Sequence, residues 1–463
     1  MRDPARIRGD VGAVLLLMLV ATGAARAQVT IPPTWGGDLA DRPRLTGDWG
    51  GVRDELGRKG VELDVDLLLT PQAVLSGGRT TGAELWGNVD YTLNVDTHKA
   101  FGLPGGYFEI EVDTGFGSNV QRDSAALVAL NVATLVPGFN DRTTALTNAT
   151  WTQTLTASTS LVVGKVNTVD TGTTEFYGSY RRQFLNDAFA SPMTLEQVPF
   201  AAWGVGLTVN PSERLSFSLL ALNPEGTPTS NPVFGDGVEL TGSAQLTVQP
   251  AGLVGHQGLG FSWNNKQRYS LEQDPSNIGV LLLETKFPRL ADPGPELHAI
   301  LAKYFPELLV PTVPANTKDS SWAVSYTFDQ YFWQPAQQPD KGIGVFFAAG
   351  VSDGNPNPIR YAYFGGIGGK GIVPGRPKDS FGIGIANTRF SSEFLPFLRE
   401  QLALGLERED AFEAYYNASL TGWLGVSADL QVVSPALERV LAGTALVPVN
   451  TAVIAGLRAW ARF

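Results

Sequence analysis

The chain has 463 residues, with 52 Gly, 30 Pro, no Cys, 17% charged and 10% aromatic residues, and a formal net charge of −11. The absence of Cys excludes disulfides and thiolate chemistry, and the acidic balance argues against nucleic acid, whose phosphates need basic stripes. Charge is scarce beside the about 25% of a soluble domain, yet beyond the N-terminus no run approaches the ~20 apolar residues of a membrane helix.

In chain order, the first feature is an address. Arg2, Arg6 and Arg8 form a basic region, Val11 to Val20 is an apolar core, and Ala25-Arg26-Ala27 fits a small-x-small cleavage site. This predicts a signal peptide over 1–27 and a mature chain starting near Gln28. The segment 28–60 then carries a short helix. Asp48 is placed as its N-cap, Val52 and Leu56 share a face, and Gly60 can close its C-terminus. Lying before the first strand, the helix is expected at the periplasmic mouth, as a partial plug, an assembly element or a docked cap.

From residue 61 the pattern has period two, because side chains of a strand point alternately to opposite faces. Val61, Leu63, Val65, Leu67 and Leu69 alternate with Glu62, Asp64 and Asp66. Val89, Tyr91, Leu93 and Val95 oppose Asn88, Asp90, Thr92, Asn94 and Asp96, and Phe108, Ile110, Val112 and Phe116 oppose Glu109, Glu111 and Asp113. Further on, Trp322, Val324, Tyr326 and Phe328 oppose Ser325, Thr327 and Asp329. The chain closes on Val453, Ala455, Leu457, Ala459, Ala461 and Phe463, with Arg458, Trp460 and Arg462 on the other face. Segments start near 61, 83, 105, 147, 159, 201, 214, 238, 256, 320, 341, 359, 380, 411, 424 and 450. That makes about sixteen, an even count that suits a bacterial barrel. The apolar run Ile278 to Phe287 is assigned to a loop rather than to a seventeenth strand.

Strands with one greasy and one strongly polar face fit either a soluble sandwich or a membrane barrel facing lipid outside and water inside. Three features decide for the barrel: the export signal, a terminal aromatic on a final amphipathic strand, and connections that alternate short and long. Pro211-Ser-Glu213 is a short turn, whereas 118–146, 169–200 and 265–318 are long external loops. The predicted fold class is all-β, a transmembrane antiparallel barrel over 61–463.

The stretch Leu45-Thr-Gly-Asp-Trp-Gly-Gly-Val-Arg-Asp-Glu-Leu56 resembles the opening signature of the carbohydrate-selective porins of the OprB type. The likeness continues, in order, through Asp96-Thr97, Gly102 to Gly106, Pro211 to Leu215, Gly342 to Gly350 and Gly371 to Pro377. The resemblance implies a sixteen-stranded outer-membrane channel, narrowed by infolded loops, through which glucose and related small sugars diffuse passively. Homotrimers are common among porins, so a homotrimer is possible by analogy. The segment 265–318 departs from the family's pattern, being longer and more apolar.

Sugars are neutral, with hydroxyls in the ring plane and apolar C–H faces, so a site needs bidentate donors and acceptors plus aromatic faces. The densest cluster follows the strand bearing Lys165 and Asn167: Asp170, Glu175, Phe176, Tyr177, Tyr180, Arg181, Arg182, Phe184 and Asp187. If this is an infolded external loop, Glu175, Tyr177, Arg181 and Arg182 are expected to help form an eyelet, with Lys165, Asp170 and Tyr180 beside them. Facing it, the lumen wall is predicted from Glu62, Asp64, Asp66, Glu109, Glu111, Asp113, Arg458 and Arg462. Guanidiniums opposite carboxylates create a transverse field. The bland alternative is that the loop's charges only pin it to the wall. The acidic wall also admits a general, mildly cation-selective pore.

Gly366-Ile-Gly368-Gly-Lys-Gly371 matches a dinucleotide fingerprint as text, but no helix pattern follows it, so it is read as a periplasmic turn. His98, His256 and His298 have no metal-ligand spacing. No catalytic residue, cofactor or metal is predicted. The rival class, an outer-membrane hydrolase, would need a Ser-His pair brought together by the fold.

Overall fold

The computed structural model describes residue 32 and residues 34–463, except 139–141, 170–173, 191–197, 234, 275–298, 301–302, 304–313, 337, 339, 395, 397–398, 400–402 and 443–444. Sixteen strands close into one antiparallel barrel. The first half comprises β1 (Val61–Gly78), β2 (Gly82–Asp96), β3 (Gly106–Gly117), β4 (Thr143–Thr156), β5 (Thr159–Asn167), β6 (Ala201–Ser212), β7 (Leu215–Leu222) and β8 (Glu239–Val248). After β9 (Gly255–Asn264), a small hairpin of β10 (Arg268–Tyr269) and β11 (Thr317–Lys318) stands in the long connection. The barrel resumes with β12 (Ser321–Trp333), β13 (Gly342–Ser352), β14 (Ile359–Lys370), β15 (Ser380–Phe390), β16 (Arg408–Ser419) and β17 (Leu424–Ser434). A second hairpin, β18 (Arg439–Ala442) and β19 (Ala445–Pro448), precedes the closing β20 (Asn450–Arg462), which pairs with both β17 and β1.

The closed ladder is what lets strands cross lipid: every strand has a neighbour on each side, so no edge of unpaired N–H and C=O groups faces hydrocarbon. No helix among the described residues is long and apolar enough to cross a membrane. The alternation sorts as expected. Leu63, Tyr91, Phe108, Trp151, Val324 and Leu457 are exposed on the outer face. Glu62, Asp90, Asn94, Glu111, Asp113 and Arg458 are buried on the inner one. The start of β1 and the end of β20 meet on the side of the short turns, the periplasmic side.

The expected strand starts hold closely, and the misses have local causes. The strand expected near 147 begins at Thr143, because a bulge shifts the register between Glu111↔Asn148 and Val112↔Leu146. Thr147 and Asn148 are therefore both buried, and the alternation breaks there. The strand expected near 411 begins at Arg408, hidden by the charged run Arg408-Glu409-Asp410. The 366–371 stretch is corrected: Gly366 to Lys370 form the end of β14, and only Gly371 starts the turn. The expected helix forms as α1 (Val52–Arg58), but Asp48 does not cap it. Gly51 holds the N-cap position in a left-handed conformation, and Val52 is exposed while Arg53 and Gly57 are buried. Gly60 does close the helix, at φ 81°, donating its N–H to the Gly57 carbonyl. Residues 1–27 and the run 278–287 lie outside the described residues.

The barrel interior is packed. The external connections 118–142 (L2) and 168–200 (L3) fold inward, and Val128, Leu130, Phe176, Tyr177, Phe184 and Phe189 join one apolar cluster with Tyr331, Phe346, Phe364 and Tyr415 of the wall. Glycines on the inner face make room for the rings. A Cβ on Gly344 or on Gly368 would stand 2.5 Å from the Phe176 ring, and one on Gly384 would stand 2.7 Å from Phe189. Phe184 stacks on Phe189 with centroids 4.6 Å apart and meets Tyr415 edge-on at 4.8 Å. Each buried ring contributes about 1.5–3 kcal/mol to holding L3 against the wall.

Filling a socket should release the loop. Gly368→Val is expected to unseat Phe176 and raise single-channel conductance in a planar bilayer, with the barrel still formed. A conductance equal to that of the parent would show that Phe176 does not anchor L3.

Candidate channel constriction

The site grows from a register coincidence on the first three strands. Asp66 of β1 pairs with Asp90 of β2, and Asp90 with Asp113 of β3, so three carboxylates lie abreast on the inner face. The next rung toward the periplasm carries Asp64, Thr92 and Glu111. Like charges directly opposite one another across a sheet repel, and this wall requires cations. L3 delivers one. The Arg181 guanidinium lies 2.7 Å from Asp90, 3.5 Å from Asp66 and 3.7 Å from Glu111. From the closing strand, Arg462 approaches Asp66 at 3.8 Å. The guanidinium carbons of Arg182 and Arg462 stand 4.6 Å and 5.5 Å from the Trp460 ring centroid. Together Asp66, Asp90, Arg181, Arg182, Trp460 and Arg462 line a narrow cleft between L3 and the wall.

L3 reaches this position because the wall satisfies its backbone. The Glu413 carboxylate accepts the N–H groups of Leu185 at 2.5 Å and Asn186 at 2.9 Å. Arg458 donates to the Tyr180 carbonyl at 2.6 Å and to Ser427 Oγ at 2.9 Å. On the other flank, Glu175 accepts from Lys370 Nζ at 2.7 Å and from the Tyr331 hydroxyl at 2.8 Å. Burial opposes the charge of Glu175, but Lys370 and Tyr331 hold its carboxyl below the usual range. L2 is held in the same way: Glu409 accepts from Leu127 and Val128, each at 2.9 Å, and Gln431 donates to the Leu130 carbonyl at 3.0 Å.

The sequence-derived candidates divide accordingly. Arg181, Arg182, Asp66 and Arg462 meet at the cleft, with Tyr180 beside Arg181, its hydroxyl 3.2 Å from the guanidinium. Tyr177 is corrected: it is 3% exposed, packed against Phe346 and Phe364, and anchors the loop. Lys165 is also corrected. It is 0% exposed, with its ammonium donating to Pro228, Ser230 and Asn231 of the next external loop, so it clasps that loop instead of facing the passage. Glu175 pins L3 on the flank opposite the cleft, and Arg458 lies buried beneath L3. Glu62, Glu109 and Asp113 are buried on the inner face; Asp113 bonds Thr147, and Asp64 pairs with Arg44 and Arg53. Asp170 lies outside the described residues.

Several participants were not among the candidates. Asp90 and Trp460 sit on the polar faces of their strands; that Asp90 lies abreast of Asp66, and Asp66 abreast of Arg462 two residues beyond Trp460, follows only from register. Glu409 and Glu413, on the inner face of β16, are both spent on loop backbone. Gly344, Gly368 and Gly384 were the available signal: glycines at inward positions of β13–β15 leave space for an incoming ring.

A barrel of sixteen strands with loops folded into its lumen is the geometry of a diffusion channel. The model of the OprB family, carbohydrate-selective porins, matches residues 80–463. The chain belongs to that family. This porin is therefore an integral outer-membrane channel of the carbohydrate-selective class. Two solved structures of OprB from Pseudomonas putida resemble it. The high-pH structure superposes with a TM-score of 0.72 at 19% identity, covering 92% of this chain and 100% of that one. For the low-pH structure the TM-score is 0.54 at 15% identity, covering 92% and 99%. At such identities the likeness speaks for the fold. No curated protein matches the chain.

In this porin, burial alone pushes the Asp187 carboxyl of L3 up to about 7. An acid raised above its unfolded value of about 3.9 binds its proton more tightly when the loop is docked. Docking therefore loses stability as pH rises from about 4 to about 7. Hydrogen exchange of residues 174–190, corrected for intrinsic rates, is expected to be faster at pH 8 than at pH 5. Asp187→Asn should remove the difference; a variant that keeps the full pH dependence would assign it elsewhere.

Proposed function

We propose that the porin passes small neutral sugars, glucose among them, into the periplasm, and that the cleft between L3 and the β1–β3 and β20 wall is the narrow point that reads them. The observation that carries this is the Arg181–Asp90 pair at 2.7 Å, set beside Asp66, Arg462 and the indole of Trp460. A sugar hydroxyl both donates and accepts, so it can insert between a guanidinium and a carboxylate and satisfy each in turn. Charge-assisted bonds of this kind are about twice as strong as neutral ones. The carboxylates accept from hydroxyls and the guanidiniums donate to them, while the aliphatic stems of Arg182 and Arg462 offer apolar surface to the C–H faces.

The same arrangement disfavours bulk ion flow. A site in which each acid faces a cation presents a transverse field with little net charge, so a lone ion meets a repelling partner on one side or the other. A neutral polyol meets none. Transport needs weak, rapidly exchanging contacts, because a solute that binds tightly does not leave. No chemical step is required of any side chain. Export of the chain through a signal over residues 1–27 completes the reading.

Glucose titrated from either side of a planar bilayer is expected to reduce single-channel conductance saturably. Arg181→Ala should raise the basal conductance and weaken the apparent sugar affinity by about tenfold, the loss of one charge-assisted hydrogen bond. Conductance indifferent to glucose in the parent protein would instead make it a general diffusion pore.

A further inference from the structure

The channel function leaves the segment 35–60 unexplained, although it holds the most distinctive run of the sequence. It lies across the periplasmic end of the barrel seam, where the first and last strands meet. The main-chain N–H of Leu45 donates to the Arg462 carbonyl at 2.7 Å, and Phe463 donates to the Val65 carbonyl at 2.8 Å. Trp423, in the turn between β16 and β17, donates its indole N–H to the Leu39 carbonyl at 2.6 Å.

The fastening is Arg53, 1% exposed on α1. Its guanidinium donates to the main-chain oxygen of Phe463 at 3.1 Å and to the Leu63 carbonyl at 2.7 Å, and it bonds the Asp64 carboxylate. One guanidinium thereby bridges β1 to the end of β20. Trp35 and Trp49 cover it, with centroids 5.4 Å and 4.8 Å from its carbon. Gly50 and Gly51, at φ 69° and 93°, supply the left-handed turn that brings Trp49 over Arg53.

Held in this way, the segment carries a second arginine to the inner face. Arg44, 13% exposed, makes a bidentate pair with Asp64, 2.7 Å through Nε and 2.5 Å through Nη2, and its guanidinium is 3.9 Å from Glu62. Asp64 lies one rung from Asp66, which lines the cleft. The acidic column Glu62–Asp64–Asp66 is thus neutralised from L3 and Arg462 at one end and from the N-terminal segment at the other.

We propose that Arg44 is a selectivity-determining residue of the channel, set in place by a seam clasp that Arg53 fastens. Without Arg44, Glu62 loses the guanidinium beside it and Asp64 keeps only Arg53, which leaves the wall below the constriction with an excess of acid. The proposal rests on the constriction reading above, but it concerns ion selectivity, which is measured separately from sugar block.

The chain has no cysteine, so an introduced thiol is unique. Arg44→Cys is expected to raise the cation-to-anion permeability ratio, read as reversal potential in a salt gradient, by roughly twofold. A cationic methanethiosulfonate added on the periplasmic side should return the ratio toward the parent value, and an anionic one should raise it further. A wall residue with a purely structural role gives no response that follows the sign of the adduct. Arg53→Lys keeps the charge but loses the fork that spans the seam, and should shift the ratio in the same direction, non-additively with the first change. If Arg44→Cys fails to fold, Arg44→Gln in the same assay replaces it. A parent-like reversal potential with both adducts, their attachment verified by mass, overturns the role of Arg44; a parent-like Arg53→Lys overturns the clasp. Absence of sugar block in the parent, with selectivity shifts intact, would overturn the constriction reading alone.

Discussion

The seating of Phe176, Phe184 and Phe189 in a wall where β13–β15 carry glycines is the contact on which the rest of the channel depends. A sixteen-stranded barrel is wide enough to leave a water-filled lumen, and width alone discriminates poorly among small solutes. This chain narrows the lumen by giving half of its inner wall an apolar, ring-shaped relief and filling it with L2 and L3. Inward-facing residues of a porin are ordinarily polar. Here Phe346, Phe364, Tyr415 and the small residues around them form a core inside the barrel. With the loop anchored by burial, its polar residues are free to face the opposite wall.

That opposite wall is electrostatically incomplete by itself. Asp66, Asp90 and Asp113 on one rung, and Asp64 and Glu111 on the next, repel one another at the spacing of strands. Cations from three places meet Asp64, Asp66, Asp90 and Glu111: Arg181 from L3, Arg462 from the last strand and Arg44 from the segment before the first strand; Asp113 instead accepts from Thr147. The constriction is therefore the place where the barrel's two ends and its infolded loop L3 are tied together. Pairing with these cations offsets the repulsion between neighbouring carboxylates.

The buried acids Glu409 and Glu413 show a division of labour that charge counting hides. They sit on the same kind of polar face as Asp66 and Asp90, but each accepts two N–H groups from an infolded loop. A loop that enters a barrel brings backbone donors away from bulk water, and those donors must be met. Lys165 performs the complementary task, meeting loop carbonyls with an ammonium. What looks like a uniformly polar lining is partly scaffold for loops and partly surface for solute.

Strand number, strand faces and the outer-membrane class were legible in the chain itself, because the lipid-facing side of each strand must be apolar and the other polar. That demand writes period two into every segment, as from Val61 to Leu69. The pattern failed where geometry departed from it: at the Thr147 bulge, and at Gly366 to Lys370, where glycines in a strand imitate a turn. The groups that line the candidate cleft were partly legible. Arg181 and Arg182 stood out as charges in a long connection, but Tyr177 and Lys165 had the same chemistry and went elsewhere. Sequence determines which groups are available and which face of a strand they occupy. Tertiary structure alone decides which of them meet, because Asp90, Trp460, Arg44 and Arg181 come from distant parts of the chain and are neighbours only through ladder register, barrel closure and the docking of a loop onto rings.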